Sequence, residues 1–421
     1  MQETESAVDI AGATTLDIEK EAAPSSHGSE TVQEKTPSAP QPAPNTGGHQ
    51  PAWLTVLGTF FCMFCTFGWI NAIGVFQDYY ETNQLSAYSS SSIGWIASLQ
   101  IFIMFFGGIF VGRLFDSHGP RLLLLVGTTL HVLGLMMVSI SHTFGQILAC
   151  QAIISPIGSA CVFYSSISAV STHFRAKRGL ATGIATSGSS LGGTIFPIMM
   201  KKLTTSTTFG WATRACAFLI LGLLIIGNLT ITSNLPHSGS LKIKISDYTR
   251  HYKDKYFSVM LFGTILTFFG IFIPFDFLTD SARHYGIDAD LAVYLVSILN
   301  GASVFSRVSM GFLADHWGRF NVNVVGIAVS GIITLALWIP ARGVAPYVVL
   351  SIIYGLSSGS FISVTPACMA EISEMRDIGT RVGALFATGS FAVLFSIMIL
   401  IGGAGVAAVR VMKVGFGWKK F

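Results

Sequence analysis

Two short stretches of the sequence decide the fold, GRLFDSHGPR at residues 112–121 and GFLADHWGR at residues 311–319. Their matching positions are separated by a constant 199 residues, which pairs Gly112, Asp116 and Gly119 with Gly311, Asp315 and Gly318. Two such stretches in register indicate a parallel duplication of one unit. Each glycine permits a tight turn or a close approach of two helices. Each aspartate lies near a predicted helix end, where it can accept hydrogen bonds from the backbone or from an arginine such as Arg319.

The composition around these stretches excludes an ordinary soluble protein. Of the 421 residues, 51% are hydrophobic and only 11% are charged, against about 25% charged in an average domain. Apolar runs long enough to cross a hydrocarbon core of about 30 Å recur along the chain. A β-barrel is excluded because its strands need only about ten residues of alternating polarity. We therefore predict an all-α, polytopic membrane protein with eleven spans, at residues 52–76, 93–115, 122–140, 144–170, 180–200, 212–235, 256–278, 291–312, 322–339, 346–369 and 382–409.

The longest polar interruption divides six predicted spans from five. We expect a disordered, Pro-rich cytoplasmic tail at 1–51, a six-helix bundle at 52–235 and a cytoplasmic loop at 236–255. A second bundle of about five spans follows at 256–409, with a basic tail at 410–421.

The distribution of basic residues predicts the orientation of the chain. With the N-terminus in the cytoplasm, the inner segments carry 15 Lys and Arg residues and the outer loops carry 5, as the positive-inside rule requires. This asymmetry explains the net charge of +4 without a nucleic-acid partner. We expect a multi-pass protein in contact with the lipid bilayer, in the plasma membrane rather than an internal one.

Beyond the paired loops, two blocks resemble a known family. These are GWINAIGVFQDYYE at residues 68–81 and FRAKRGLATGIATSGSSLGGTIFP at residues 174–197. The sequence resembles the major facilitator superfamily, and within it the fungal branch of the monocarboxylate transporter family. The resemblance covers residues 52 to about 395. It implies two six-helix bundles, a central substrate cavity and alternating access by rocking of the two halves.

The C-terminus departs from that pattern. Only 40 residues follow Arg381, whereas two spans need about 20 each plus a turn, and the last twelve residues contain four cations. We therefore expect the second bundle to be short by one helix. A loss of about 20 to 30 residues near 395–396 would leave a groove where the twelfth helix belongs.

Arg307 is the main candidate for a substrate-binding residue. Asn300, Ser303 and Arg307 share one face of the predicted eighth helix, and a cation inside a span usually faces protein or a water-filled cavity. The matching family position is an arginine that binds the substrate carboxylate, which implies an anionic substrate. The alternative is structural pairing or snorkelling, because Arg307 lies only five residues before Phe312.

Two ionisable groups that the family's proton-coupled members carry are absent. Ser303 stands where the resemblance predicts an acidic residue one turn before the arginine, and Asn71 stands where it predicts a lysine. Asn71 shares a helix face with Gly74 and Asp78, and we expect this face to line the cavity. The remaining candidates for proton coupling are His131, Asp276 and Asp280, for each of which solvation at a helix end or a satisfied buried polar group is the more common role.

A row of small residues marks the fifth predicted helix. Ala181, Ala185, Ser189 and Gly193 recur every four residues, with Gly183, Gly188 and Gly192 beside them. Such a face permits close helix contact. It fits either a rocking surface against the other bundle or static packing.

No catalytic constellation, nucleotide-binding loop or metal motif is present, so we expect neither an enzyme nor a cofactor. Cys62 and Cys65 have redox spacing but no second pair, and small-residue packing is the simpler interpretation. We predict a transporter that moves a small organic solute, monocarboxylate-like, vitamin-like or a secondary metabolite, by alternating access. The alternatives are a non-transporting sensor or scaffold of the same fold, or an inactive truncated transporter.

Overall fold

The computed structural model describes residues 52–235 and 250–392, and these residues are helical with no strand. Nine of the helices described are long and apolar enough to cross a membrane, which confirms the prediction of an all-α polytopic membrane protein. The predicted tails, most of the central loop and the proposed loss near 395–396 lie outside the described residues. The helices are α1 Ala52–Gln84, α2 Ser90–His118, α3 Pro120–Val138, α4 Phe144–His173, α5 Arg178–Ser206, α6 Phe209–Thr230, α7 Lys255–Ile271 continued by Ile273–His284, α8 Ala289–Trp317, α9 Arg319–Trp338, α10 Val344–Glu371 and α11 over residues 378–392.

The helix ends follow the chemistry of the sequence. Ser89 and Thr208 cap α2 and α6, each accepting a hydrogen bond from the backbone N–H three residues later. Gly119 and Gly318 separate α2 from α3 and α8 from α9 with φ of 78° and 93°. A side chain is rarely tolerated at such angles, so the two glycines permit turns of a single residue.

The first helix is longer and less regular than predicted. Its α-helical segments are interrupted at Thr66 and again at Asn71 and Ala72, and it ends in a π-helical turn, Tyr80–Gln84. The Thr66 hydroxyl donates to the carbonyl of Cys62 at 2.7 Å. Hydroxyls that bond back to the preceding turn bend helices. As a result, the second half of α1 lies along the cavity described below.

Helix α5 packs against α1 on one side and α8 on the other through its glycines. A Cβ added to Gly188 would lie 2.0 Å from the carbonyl oxygen of Phe60 in α1, and one added to Gly183 would lie 2.3 Å from that of Arg307 in α8. Gly192 contacts α1, and Gly193 lies against Asn300 of α8 and Asn71 of α1. The glycines therefore allow α5 to contact both neighbours at backbone distance.

The row of small residues on α5 does not stay on one face, contrary to the sequence-based expectation. Ala181 and Ala185 pack with Val56 and Val170, inside the first half of the chain, whereas Gly193 faces α8. The reason is geometric. Each step of four residues advances about 40° beyond a full turn, so a row of twelve residues winds about a third of the way around the helix.

Candidate functional site

A cavity of about 630 Å³ lies among α1, α2, α5, α7, α8 and α10. Its walls come from the second half of α1, the start of α2, the end of α5 and the end of α7. Those segments lie at the opposite ends of their helices from the α2–α3 loop. Most of the lining is apolar, with aromatic rings from Phe67, Phe272, Phe275 and Phe277. The volume and the lining are typical of a binding site for an organic molecule.

Arg307 lies at the buried end of this cavity and is only 3% exposed. Its Nε donates to the Ser303 hydroxyl at 3.3 Å, and its Nη1 donates to the Thr186 carbonyl at 2.9 Å and to the Ser189 hydroxyl. The guanidinium therefore points towards α5 and not towards the membrane surface. Nη2 has no partner among the described residues, so its two N–H groups remain for a ligand.

The other three predicted binding residues take different positions. Ser303 and Asn71 line the cavity, and so do Gly74 and Asp78 on the face predicted for α1. Asn300 is 1% exposed, donates to the carbonyl of Val296, and packs against Gly193. It thus contributes to the α5–α8 contact instead of the cavity wall.

The open end of the cavity is charged. Asp78, Glu81 and Asp280 line it together with Lys201 and Arg283. Arg283 of α7 forms an ion pair with Asp78 of α1 at 3.6 Å. Burial raises the pKa of Asp280, nearby Arg283 lowers it, and the acidic Glu81 and Asp78 raise it further, so the net direction is upward. The open end therefore carries three acidic and two basic side chains.

Of the other two candidates for proton coupling, His131 does not line the cavity. It is fully buried, with Nδ1 at 2.9 Å from the hydroxyls of Ser155 and Ser159 and Nε2 at 3.2 Å from the carbonyl oxygen of Cys65. Both ring nitrogens are thus satisfied within the first half, as in the structural interpretation. The side chain of Asp276 lies outside the described residues.

The two repeated aspartates make equivalent contacts at the other end of the helices. Asp116 accepts from the backbone N–H groups of Gly379 and Thr380 at 3.0 and 2.7 Å, at the start of α11. Asp315 accepts from those of Gly179 and Leu180, both at 2.8 Å, at the start of α5. A carboxylate at a helix N-terminus satisfies free N–H groups and interacts favourably with the helix dipole.

The repeated glycines make these contacts possible. A Cβ on Gly112 would lie 2.1 Å from the carbonyl oxygen of Gly379, and one on Gly311 would lie 2.4 Å from that of Gly179. Arg319 adds further bonds on the same side, to Asp315 at 3.3 Å, to the carbonyl of Arg175 and to the carboxylate of Glu371. The cavity is therefore closed towards the α2–α3 and α8–α9 loops.

Sequence reasoning missed several cavity residues. The sequence alone assigns the aromatic residues of α7 only to an apolar span, and it assigns Lys201 only to a loop. Ser358 of α10 also lines the cavity; it stands in a serine-rich stretch, SSGS, that gave no signal of its own. In α1, by contrast, the shared helix face of Asn71, Gly74 and Asp78 did predict a wall of the cavity.

Comparisons with known proteins agree with this architecture. The family model described as the Major Facilitator Superfamily matches residues 48–406. The chain is 46% identical over 356 residues to MFS-type transporter 1 of Ophiocordyceps sp. (strain BCC 1869), covering 85% of this chain and 79% of that protein. It is 41% identical to MFS-type transporter opdF of Penicillium oxalicum, covering 91% and 96%, and 40% identical to the Fujikurins efflux protein of Gibberella fujikuroi, covering 85% and 76%.

Among solved structures, the human organic anion transporter MFSD10 (TETRAN) aligns with a TM-score of 0.65 at 14% identity, over 83% of this chain and 92% of that one. This likeness shows the fold alone. The family match over most of the chain agrees with the helical architecture and the cavity, and so do the relatives named as transporters. The chain is a membrane transporter that belongs to the major facilitator superfamily.

Proposed function

We propose that the chain exports a fungal secondary metabolite, an organic anion with a large apolar part, across the plasma membrane. The observation that carries this proposal is the position of Arg307. It is a buried cation at the inner end of a mostly apolar cavity, with one nitrogen left unpaired among the described residues. An anionic group would bind to Nη2, and the apolar part of the solute would lie against the rings of α1 and α7.

Export is favoured by the relatives. One of them is named for the efflux of fujikurins, and others for the efflux of aspyridones and agnestins. The cavity accommodates a molecule larger than a short monocarboxylate, since 630 Å³ lies near the middle of the usual range of about 300–1,000 Å³ for ligand pockets.

Transport follows alternating access between two halves, residues 52–235 and the bundle that begins at 256, with the N-terminus in the cytoplasm. In this state the cavity opens away from the α2–α3 loop. Release of the contacts of Asp116 and Asp315 would open the opposite side, because these contacts join the first half to α11 and the second half to α5.

Coupling to protons is weak or absent in this proposal. The residues at the family's coupling positions, Ser303 and Asn71, do not titrate, and His131 is bonded away from the cavity. Of the three predicted candidates for proton coupling, Asp280 is the one that the described residues place in the cavity lining, at its open end. It modulates release of the anion instead of driving its accumulation.

Deletion of the gene in its native host tests the proposal. Metabolites would be compared by mass spectrometry in the medium and the mycelium of the wild type, the deletion strain and the complemented strain. We expect at least one organic acid to move from medium to mycelium on deletion and back on complementation. A fluorescent fusion should mark the cell periphery. An unchanged distribution of every acidic metabolite would refute export.

A further inference from the structure

Helix α10 contains an unusual serine. The hydroxyls of Ser351, Ser357, Ser360 and Ser363 all donate to a carbonyl three or four residues earlier in the helix, which is the usual arrangement of a serine inside a helix. Ser358 does not. Its Oγ is buried and has no hydrogen-bond partner among the described residues, although the residue is only 4% exposed.

The position of Ser358 relates this unpaired hydroxyl to the cavity. Ser358 is one of the lining residues, with Ser303 and Arg307 of α8. The next residue, Gly359, lies so close to α8 that a Cβ on it would be 2.9 Å from the Ser303 hydroxyl. Ser358 therefore lines the same cavity as the serine that bonds the Arg307 guanidinium, one residue along α10 from the point where α10 contacts that serine.

An unpaired buried hydroxyl costs free energy, and one that persists at a cavity wall requires an explanation. Thr182, Ser165 and Ser168 are also buried and unpaired, but none of them lines the cavity. A bound solute would supply the missing partner of Ser358, because a hydroxyl can both donate and accept.

We propose that Ser358 is a substrate-binding residue, and that its hydroxyl donates to the same polar group that binds Nη2 of Arg307. The polar end of the site is then built by two helices, α8 with a cation and α10 with a neutral donor. This arrangement selects a head group with at least two acceptor oxygens, such as a carboxylate or an enolate beside a carbonyl. The proposal rests on the proposed function for the identity of the solute, but the position of the hydroxyl can be tested without it.

Labelling of Ser358→Cys tests that position. The probes are two methanethiosulfonates, the anionic sulfonatoethyl and the cationic trimethylammonium-ethyl reagent, and the six native cysteines are buried. We expect labelling by both reagents, with the anionic one severalfold faster, and loss of this preference when Arg307→Gln is added. Ser168→Cys, the matched control, should resist both. A folded Ser358→Cys protein that also resists both would overturn the proposal, whether or not a transported metabolite has been found.

Ser358→Ala tests the hydrogen bond itself. Because the hydroxyl is unpaired without substrate, its removal should leave thermal stability unchanged or raised. It should raise the KM for the metabolite identified in the host about tenfold with little change in kcat. Ser168→Ala should have the same effect on stability and none on KM. An unchanged KM in Ser358→Ala, or a loss of stability that accounts for reduced flux, would overturn the proposal.

Discussion

Asp315 offers a quantitative test of how the cavity is held closed on the side of the loops. Asp315→Asn removes a carboxylate that accepts two backbone hydrogen bonds at 2.8 Å from the start of α5. The side chain is 7% exposed, so solvent screens these bonds little. An amide can retain one of them, and its NH₂ group would face N–H donors. A hydrogen bond to a charged group contributes about 1.5–3 kcal/mol. We therefore expect the closed state to lose roughly 2 kcal/mol of stability relative to the open state, which shifts the equilibrium towards the open state about thirtyfold.

Double electron–electron resonance measures the distance between two spin labels. With labels at Ala176→Cys and Met375→Cys, it would measure this shift. Ala176 follows α4 in the first half, Met375 precedes α11 in the second, and both are exposed. The buried native cysteines leave a low background of labelling. We expect a new population at longer distance in Asp315→Asn.

Asp254→Asn is the matched control. Burial alone would raise the pKa of Asp254, but its hydrogen bonds, first that from Arg381, hold the pKa below its ordinary value. This bond, at 2.8 Å, joins the residue that precedes α7 to α11 and involves no residue of 52–235, so its loss should leave the label distances unchanged. A distance distribution of Asp315→Asn identical to that of the wild type would refute the reasoning.

Two further predictions concern the charged opening and the helix contacts. Because the pKa of Asp280 is raised, acidification on the side to which the cavity opens neutralises it earlier than an ordinary aspartate. A negative charge is then lost from the path by which an exported anion leaves. We expect the export rate to rise as the pH on that side falls, and Asp280→Asn to remove this dependence in a pH series of flux measurements. Gly311→Ala should lower the folded yield and the melting temperature in detergent, because its Cβ would meet the backbone oxygen of Gly179. Gly263→Ala, where nothing lies within 4 Å, should be neutral or stabilising by up to about 1 kcal/mol, and equal melting temperatures of the two variants would contradict the packing argument.

Much of the fold was accessible from the sequence because membrane spans depend on long, continuous properties. Length and apolarity place a helix at each predicted span within the described residues, and the loop glycines Gly119 and Gly318 occupy the turns that their residue type favours. The bends of α1 were not accessible. They arise at Thr66 and Asn71 from side chains bonding to the preceding turn, which a hydropathy pattern does not record.

The site was predicted in part. The sequence showed three unusual polar residues in apolar spans, and all three line the cavity: Arg307, Ser303 and Asn71. Asn300 has the same periodicity but lies at the α5–α8 contact, because helical spacing gives a face and does not identify the neighbour that covers it. Ser358 could not be identified from the sequence. It differs from neighbouring serines only in lacking a hydrogen bond, and that is a property of the packed structure.

The most direct test of the account is the flux of the exported metabolite through Arg307→Lys protein in proteoliposomes. Lysine keeps the charge but not the planar fork, so it cannot bond Thr186, Ser189 and Ser303 and still present two N–H groups to the solute. We predict a loss of most of the flux, at least tenfold, in protein of normal yield and stability, while the exposed Arg342→Lys retains wild-type flux. Wild-type flux in Arg307→Lys would contradict the assignment of Arg307 as the anion-binding residue.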